Sequence, residues 1–222
     1  LVFRGNLGQD TFNCFLMMER YFSSLKHIND ISLMIFSFGT KDLLDPNNLP
    51  KFFNKITNLR LIKSSGNSLA ENILKKPEAL QNVTKIAIDV ANCTERNFDF
   101  LTNLQALKSL KSLQIIVYSA GKAMFDAFLT SLAIPSNLSE FIFHIHNLRM
   151  SDLIQHPPSP SSLETPLSEN PFKSLEGYNN FLKNMENTPA LKTLEMKLFS
   201  SDFKEYYTDF FADIYKTFQK LE

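Results

Sequence analysis

The chain of 222 residues contains no tryptophan, few glycines and only two cysteines, and neither sign of charge is in excess. Its 23 Lys and Arg residues balance 23 Asp and Glu residues, so the basic surplus of a typical nucleic-acid-binding surface is missing. Cys14 and Cys93 have no C-x-x-C spacing, which argues against a disulfide-capped extracellular domain. We therefore expect a cytoplasmic protein with reduced thiols that binds no nucleic acid.

Long apolar runs and glycine-rich turns are also missing. No apolar run approaches the roughly 18 residues that a membrane-spanning helix needs, so we expect no membrane insertion. The closest match to a phosphate loop surrounds Gly121 and Lys122, but it lacks the upstream glycine and the following Ser or Thr. The common catalytic motifs are missing too. The sequence predicts a chain that is not an enzyme and that needs no cofactor and no small-molecule substrate.

What the sequence does contain is a repeat, L-x-x-L-x-x-L-x-L, in which L stands for any large apolar residue. The clearest copy spans residues 107–115, and other copies span residues 53–61 and 80–88. One anchor per copy gives steps of 28, 27, 27 and 28 residues, and these anchors are Ile31, Leu59, Ile86, Leu113 and Phe141. Periods of this length are typical of solenoids, in which each unit contacts only its neighbours.

Each copy combines two periodicities. Apolar residues alternate around the anchors, which predicts half-buried strands over residues 31–35, 59–61, 86–90, 113–117, 141–145 and 194–198. Between them the spacing is helical, and Thr94 is a candidate N-cap for a helix over residues 94–109. Other helices are predicted over residues 50–57, 68–76, 122–132, 172–187 and 203–220. The 21 phenylalanines are expected to fill the core beneath these helices.

These copies resemble leucine-rich repeats, and their length and helical linkers are similar to the long, ribonuclease-inhibitor-like class. The resemblance covers residues 11–222. It implies an α/β solenoid of about six or seven repeats, with a curved parallel sheet on the concave side and helices on the convex side. The family's Asn, three positions after the second strand Leu, is replaced here by Phe36, Ser64, Ala91, Tyr118, His146 and Phe199.

One segment breaks the period. Phe141 and Leu194 are 53 residues apart, and residues 151–171 hold half of the ten prolines. Proline fixes φ and removes a hydrogen-bond donor, so this segment is predicted to be a loop inserted into one repeat. We interpret residues 1–222 as one solenoid segment. We expect the repeat to continue beyond both ends, because the chain starts at Leu1 and the next strand would begin near Leu221.

Strand residues that alternate with the core positions should line the concave face. The candidate partner-binding residues there are Met34, Arg60, Ile62, Asp89, Gln114, Ile116, Ile142, His144, Glu195 and Lys197. Several are apolar where water would favour polar groups, which indicates a protein interface, and Ile116 is expected to project into solvent. His144 and His146 share one side of a strand, but neighbouring repeats offer no strong zinc ligand at matching positions, so no metal site is predicted.

The sequence therefore predicts a non-enzymatic scaffold for protein–protein interaction, a repeat-containing subunit of a larger intracellular assembly. The alternative is the substrate-recognition arm of a ubiquitin ligase, as in leucine-rich-repeat proteins with an N-terminal F-box. An F-box-like helical segment before Leu1 would favour that alternative. The convex helices and the inserted loop remain alternative contact surfaces, and the identity of the partner is not encoded.

Overall fold

The computed structural model describes residues 2–7, 20–21, 31–37, 51–64, 69–91, 98–118, 121–147, 175–199 and 204–219. Within these residues, seven strands form one sheet in chain order, and every neighbouring pair is parallel. The strands are β1 (Val2–Leu7), β2 (Ile31–Ser37), β3 (Ile56–Ser64), β4 (Lys85–Ala91), β5 (Ser112–Tyr118), β6 (Glu140–His146) and β7 (Thr193–Phe199). The predicted α/β class with a parallel sheet is confirmed, and β1 is an additional strand that was not predicted.

Helical segments connect these strands. The α-helices are α1 (Leu69–Leu74), α2 (Lys122–Ser131), α3 (Glu176–Glu186) and α4 (Lys204–Gln219), and each lies within a predicted helix. In the described part of the chain, three segments are 3₁₀-helices, namely η1 (Lys51–Lys55), η2 (Pro77–Leu80) and η3 (Asp99–Ala106). None of the helices in the described ranges is long and apolar enough to cross a membrane.

The predicted helix over residues 94–109 is corrected by η3, which is a 3₁₀-helix. Its cap candidate, Thr94, lies outside the described residues. The apolar side chains here recur at every third position, whereas an α-helical stripe mixes spacings of three and four. These side chains, each at most 1% exposed, are Phe98, Leu101, Leu104, Leu107 and Leu110. A helix with three residues per turn places that whole row on one side, which explains the tighter form.

The pairing register tests the repeat anchors directly. Leu59, Ile86, Leu113 and Phe141 occupy equivalent positions on neighbouring strands, as predicted. The anchor in β2 is wrong, because Leu33 rather than Ile31 pairs with Leu59, which makes that step 26 residues. A register shift between Ile31 and Ser32, where β3 carries one additional residue, pairs Ile31 with Ile56.

The hydrophobic core lies between the sheet and the helical segments. Leu113, Ile115 and Val117 of β5 are fully buried in it, together with residues from α1, η3, α2 and α3. Phenylalanine rings occupy much of this space, as expected from the composition. The Phe143 ring centroid lies 5.8 Å from that of Phe128 and 5.9 Å from that of Phe181.

Strands β6 and β7 pair directly although 53 residues separate Phe141 from Leu194. No described strand lies between them, so the long interval is a single step across the sheet. Residues 151–171, predicted as an inserted loop, lie outside the described residues, as do Cys14 and Cys93.

Candidate protein-interaction face

The candidate site is the face of the sheet formed by positions that alternate with the core positions, called here the opposite face. Because the strands are parallel and in register, equivalent positions form columns that cross the strands. The first column is Arg60, Ala87, Gln114, Ile142 and Glu195. The second is Ile62, Asp89, Ile116, His144 and Lys197, and the third is Ser64, Ala91, Tyr118, His146 and Phe199.

The structure places the predicted site residues together in the first two columns. Met34 pairs with Arg60 and so extends the first column onto β2, although its side chain lies outside the described residues. Their role in partner binding stays a prediction. Their mutual geometry divides them into a charged pair on β3 and β4 and a charged cluster on β6 and β7.

The charged pair joins Arg60 to Asp89. The guanidinium donates from Nε and Nη2 to Asp89 Oδ2, at 2.9 and 2.6 Å. The Arg60 side chain is 37% exposed, whereas that of Asp89 is only 9% exposed. Asp89 Oδ1 is buried and accepts no hydrogen bond from any described residue. The buried Asp89 carboxylate thus fixes the orientation of the Arg60 side chain.

The charged cluster centres on Glu195. Lys197 Nζ donates to Glu195 Oε1 at 2.6 Å, and His144 Nε2 lies 2.9 Å from the same oxygen. An ionised carboxylate only accepts, so the histidine nitrogen is the donor. The Lys197 hydrogen bond, followed by that of His144, lowers the pKa of Glu195 below its ordinary value. The carboxylate is therefore charged at neutral pH, beside one ammonium group and one imidazole.

Ile116 does not project into solvent as expected, and that prediction is wrong. Its side chain lies on the opposite face and is absent from the main core cluster, yet the residue is only 8% exposed. A charge introduced there would be buried without a partner, which costs several kcal/mol by the usual transfer scales. A loss of partner binding in such a variant would be confounded by a loss of folding.

The third column contains an aromatic ladder, defined as Tyr118, His146 and Phe199. The His146 ring stacks on Tyr118 with centroids 5.0 Å apart and on Phe199 with centroids 4.4 Å apart. These distances match the spacing of neighbouring strands, about 4.8 Å, so the sheet itself sets the stacking. Tyr118 is 38% exposed and Phe199 is 46% exposed, which leaves large apolar surface available to a partner.

These three residues were missing from the predicted site, although the sequence contains a signal for them. They occupy the positions where the leucine-rich-repeat family carries an Asn. In this structure the strands remain paired through those positions, so each side chain keeps the alternation and faces away from the core. Extending the period-two pattern by two residues would have placed them in the site.

No group of three or more His, Cys, Asp or Glu side chains in the described ranges could hold a metal ion. His146 is instead enclosed between two aromatic rings, and His144 bonds to Glu195. Both histidines therefore contact side chains on neighbouring strands of the sheet.

An apolar cavity of about 380 Å³ lies between β7 and α4. Its lining residues are Leu194, Met196, Phe211, Ile214 and Tyr215. Ligand sites of this size usually add several polar groups that orient the ligand. Here the Tyr215 hydroxyl is the only polar side-chain group among the described lining residues. The cavity marks the end of the described sheet, where helix α4 covers Leu194 and Met196 incompletely.

Comparison with known proteins leaves this geometry as the main guide to function. No protein-family model and no curated protein matches the chain. Among solved structures it is similar to the tropomodulin C-terminal domain of Caenorhabditis elegans, with 15% sequence identity and a TM-score of 0.36. The match covers 74% of this chain and 87% of that one. At that identity and score the likeness carries no argument about function.

Proposed function

We propose that this chain is a leucine-rich-repeat solenoid that acts as a non-enzymatic intracellular scaffold and binds a protein partner on the opposite face. The solenoid is supported by the chain-order parallel sheet and by equivalent repeat positions that pair directly from Leu59 to Leu194. No feature of the described residues favours the ubiquitin-ligase alternative, so only the scaffold is proposed.

The observation that carries the proposal is the exposed aromatic ladder. Tyrosine and phenylalanine are enriched in protein interfaces, and tyrosine is frequent among residues that contribute most to binding energy. Stacking on His146 already restricts Tyr118 and Phe199, so they lose less rotational freedom when a partner binds. The neighbouring cluster of His144, Glu195 and Lys197 would form part of a polar rim.

The double substitution Tyr118→Ala and Phe199→Ala tests this proposal. Proteins captured from a source-cell extract by immobilised wild-type chain are compared with those captured by the variant. We expect retention of the partner to fall at least about tenfold, because truncating a central aromatic in an interface costs roughly 2 kcal/mol or more.

The matched control is Lys108→Glu, an exposed position between η3 and β5 on the helical side. It should retain the same proteins as wild type, and circular dichroism should show native helix and strand content for both variants. A partner that still binds the folded double variant but does not bind Lys108→Glu would place the interface on the helical side. That result would contradict the proposal.

A further inference from the structure

Ala87 has the smallest side chain in the first column, and the position between its longer neighbours, called here the depression, is defined by residue size and register. Arg60 and Gln114 flank it at the same register on the neighbouring strands, so their Cα atoms are about 10 Å apart. Lys85 lies two residues earlier on the same strand and the same face. The depression is thus surrounded by three side chains that carry N–H donors.

These donors are largely unused. Lys85 and Gln114 make no side-chain hydrogen bond to any described residue, and Lys85 is exposed. Arg60 engages Asp89 through Nε and Nη2, so Nη1 donates to none of the described residues. An acceptor placed over Ala87 would meet donors from three neighbouring strands without displacing a bond between described residues.

The buried Asp89 carboxylate explains why Arg60 is held ready. A carboxylate that is nine-tenths buried with one oxygen unpaired costs stability, and such groups usually need an explanation in function. Its Oδ1 is itself inaccessible, so it offers no landing point for an incoming donor. Its effect is on Arg60, whose guanidinium it fixes at the edge of the depression.

The local charge selects the ligand. Immediately around Ala87, Arg60 and Lys85 contribute two positive charges and Asp89 contributes one negative charge, which leaves a surplus of one. The next carboxylate along the face, that of Glu140, is bonded to Ser112 on the strand beside Lys85. A carboxylate carries a single negative charge, whereas a phosphate monoester carries about 1.5 to 2 at neutral pH. We propose that the depression over Ala87 binds the carboxylate of a Glu or Asp side chain from a protein partner, an inference that rests on the proposed scaffold function.

Nuclear magnetic resonance of the chain labelled at alanine methyl groups tests the site directly. The probe is the peptide Ac-Gly-Gly-Glu-Gly-Gly-NH2, and the control peptide carries Gln in place of Glu. We expect a saturable shift of the Ala87 methyl with the Glu peptide in the millimolar range, reduced by added salt, and none with the Gln peptide. No saturable shift, or equal shifts with both peptides, would overturn the proposal.

Two substitutions assign the donors. Arg60→Gln should weaken the Glu peptide roughly tenfold, which is the effect of losing about 1.4 kcal/mol. Lys85→Gln should weaken it roughly threefold, in the range of an exposed ion pair. Because Lys85 is exposed, Lys85→Gln should fold normally, and it tests the site even if Arg60→Gln fails to fold. Lys108→Gln is the control and should bind like wild type. Unchanged binding by Lys85→Gln would overturn the assignment.

A phosphoserine version of the peptide distinguishes the two anions. Equal or weaker binding than the Glu peptide supports a carboxylate site, and binding more than about tenfold tighter overturns it in favour of phosphate. The outcome is separate from that of the ladder experiment. If the ladder variant keeps its partners and Lys108→Glu loses them while the Glu peptide binds at Ala87, the proposed function fails and the carboxylate site remains. If the ladder variant loses its partners but the Glu peptide does not bind at Ala87, only the carboxylate site is refuted.

Discussion

At the scale of single residues, asparagine side chains join neighbouring units just before the strands, not after them as in the family pattern. Asn137 donates its amide to the carbonyl oxygens of Lys108 and Leu110, the latter at 3.0 Å. Asn82 donates in the same way to the carbonyl of Asn54, at 2.6 Å. These bonds satisfy backbone acceptors of the preceding unit and so tie neighbouring units together.

Glu195 provides a prediction about pH at this scale. Its pKa is lowered in the folded chain, chiefly by the Lys197 hydrogen bond and then by His144. A group with a depressed folded pKa contributes stability that is fully present above its unfolded pKa and is lost as pH falls through the folded value. The stability difference between wild type and Glu195→Gln should therefore be largest near neutral pH, and it should shrink as pH falls below the ordinary glutamate value of about 4.3 and through the lower folded value.

Urea unfolding of both proteins from pH 3 to pH 7 measures this difference. Lys197→Met is the companion variant, because removing the largest cause should move the Glu195 pKa back towards its ordinary value. A stability difference between wild type and Glu195→Gln that grows on acidification would contradict the assignment.

At the scale of elements, the contact between α2 and α3 depends on one glycine. A Cβ added at Gly177 would lie 2.3 Å from the Asp126 carbonyl oxygen and 2.9 Å from the Thr130 backbone nitrogen. The Gly177 N–H also donates to Asp126 Oδ1 at 2.8 Å, which ties the first turn of α3 to α2. Two of the three close neighbours are backbone atoms, the third being Asp126 Oδ1 at 2.9 Å, so a side chain here forces the helices apart.

Gly177→Ala should therefore destabilise the fold, by about 1–3 kcal/mol if the helices shift as in other overpacked sites. A loss of stability would be informative, because a Gly to Ala substitution inside an ordinary helix raises the free energy of unfolding by about 0.5–1 kcal/mol. Thermal or urea unfolding measures the change, with Lys183→Ala on the exposed side of α3 as the control. A Gly177→Ala variant as stable as wild type would mean that α2 and α3 are not packed this closely.

At the scale of the whole molecule, burial is complete in the middle of the sheet and incomplete at β7. Leu113 is fully buried between Ile86 and Phe141, its register neighbours. Leu194 occupies the equivalent position in β7 but is only half-buried and borders the cavity beside α4. In a quasi-linear stack each unit is covered by its neighbours, and no further unit is described beyond β7.

Leu113→Ala should accordingly cost about 2–5 kcal/mol, the range for a fully buried leucine. Leu194→Ala should cost clearly less, because part of its surface already faces open space and the cavity exists without the substitution. Equilibrium urea unfolding of the two variants gives the comparison. Equal losses at the two sites would argue against a stack organised by nearest-neighbour contacts.

Much of this fold could be predicted from residue spacing, because two of its periodicities are local. Alternation in steps of two fixes which strand side chains face the core, and it placed all ten predicted site residues in two adjacent columns. Strand β1 escaped prediction because Gly5 stands where the paired strand has Ile35, which interrupts the apolar alternation. The exposure of Ile116 was also misjudged, since alternation gives the direction of a side chain and not what covers it.

The sequence by itself determined the unit: its length, its strand and helical halves, and the equivalent positions of Leu59, Ile86, Leu113 and Phe141 on successive strands. Only the tertiary structure decided which residues meet across units. The stacking of Tyr118 on His146, the ion pair of Arg60 with Asp89 and the closeness of Gly177 to α2 join residues 28, 29 and 51 positions apart. The physical reason is that local periodicity sets the orientation of each side chain, whereas contact partners depend on register and packing between units that are distant in sequence.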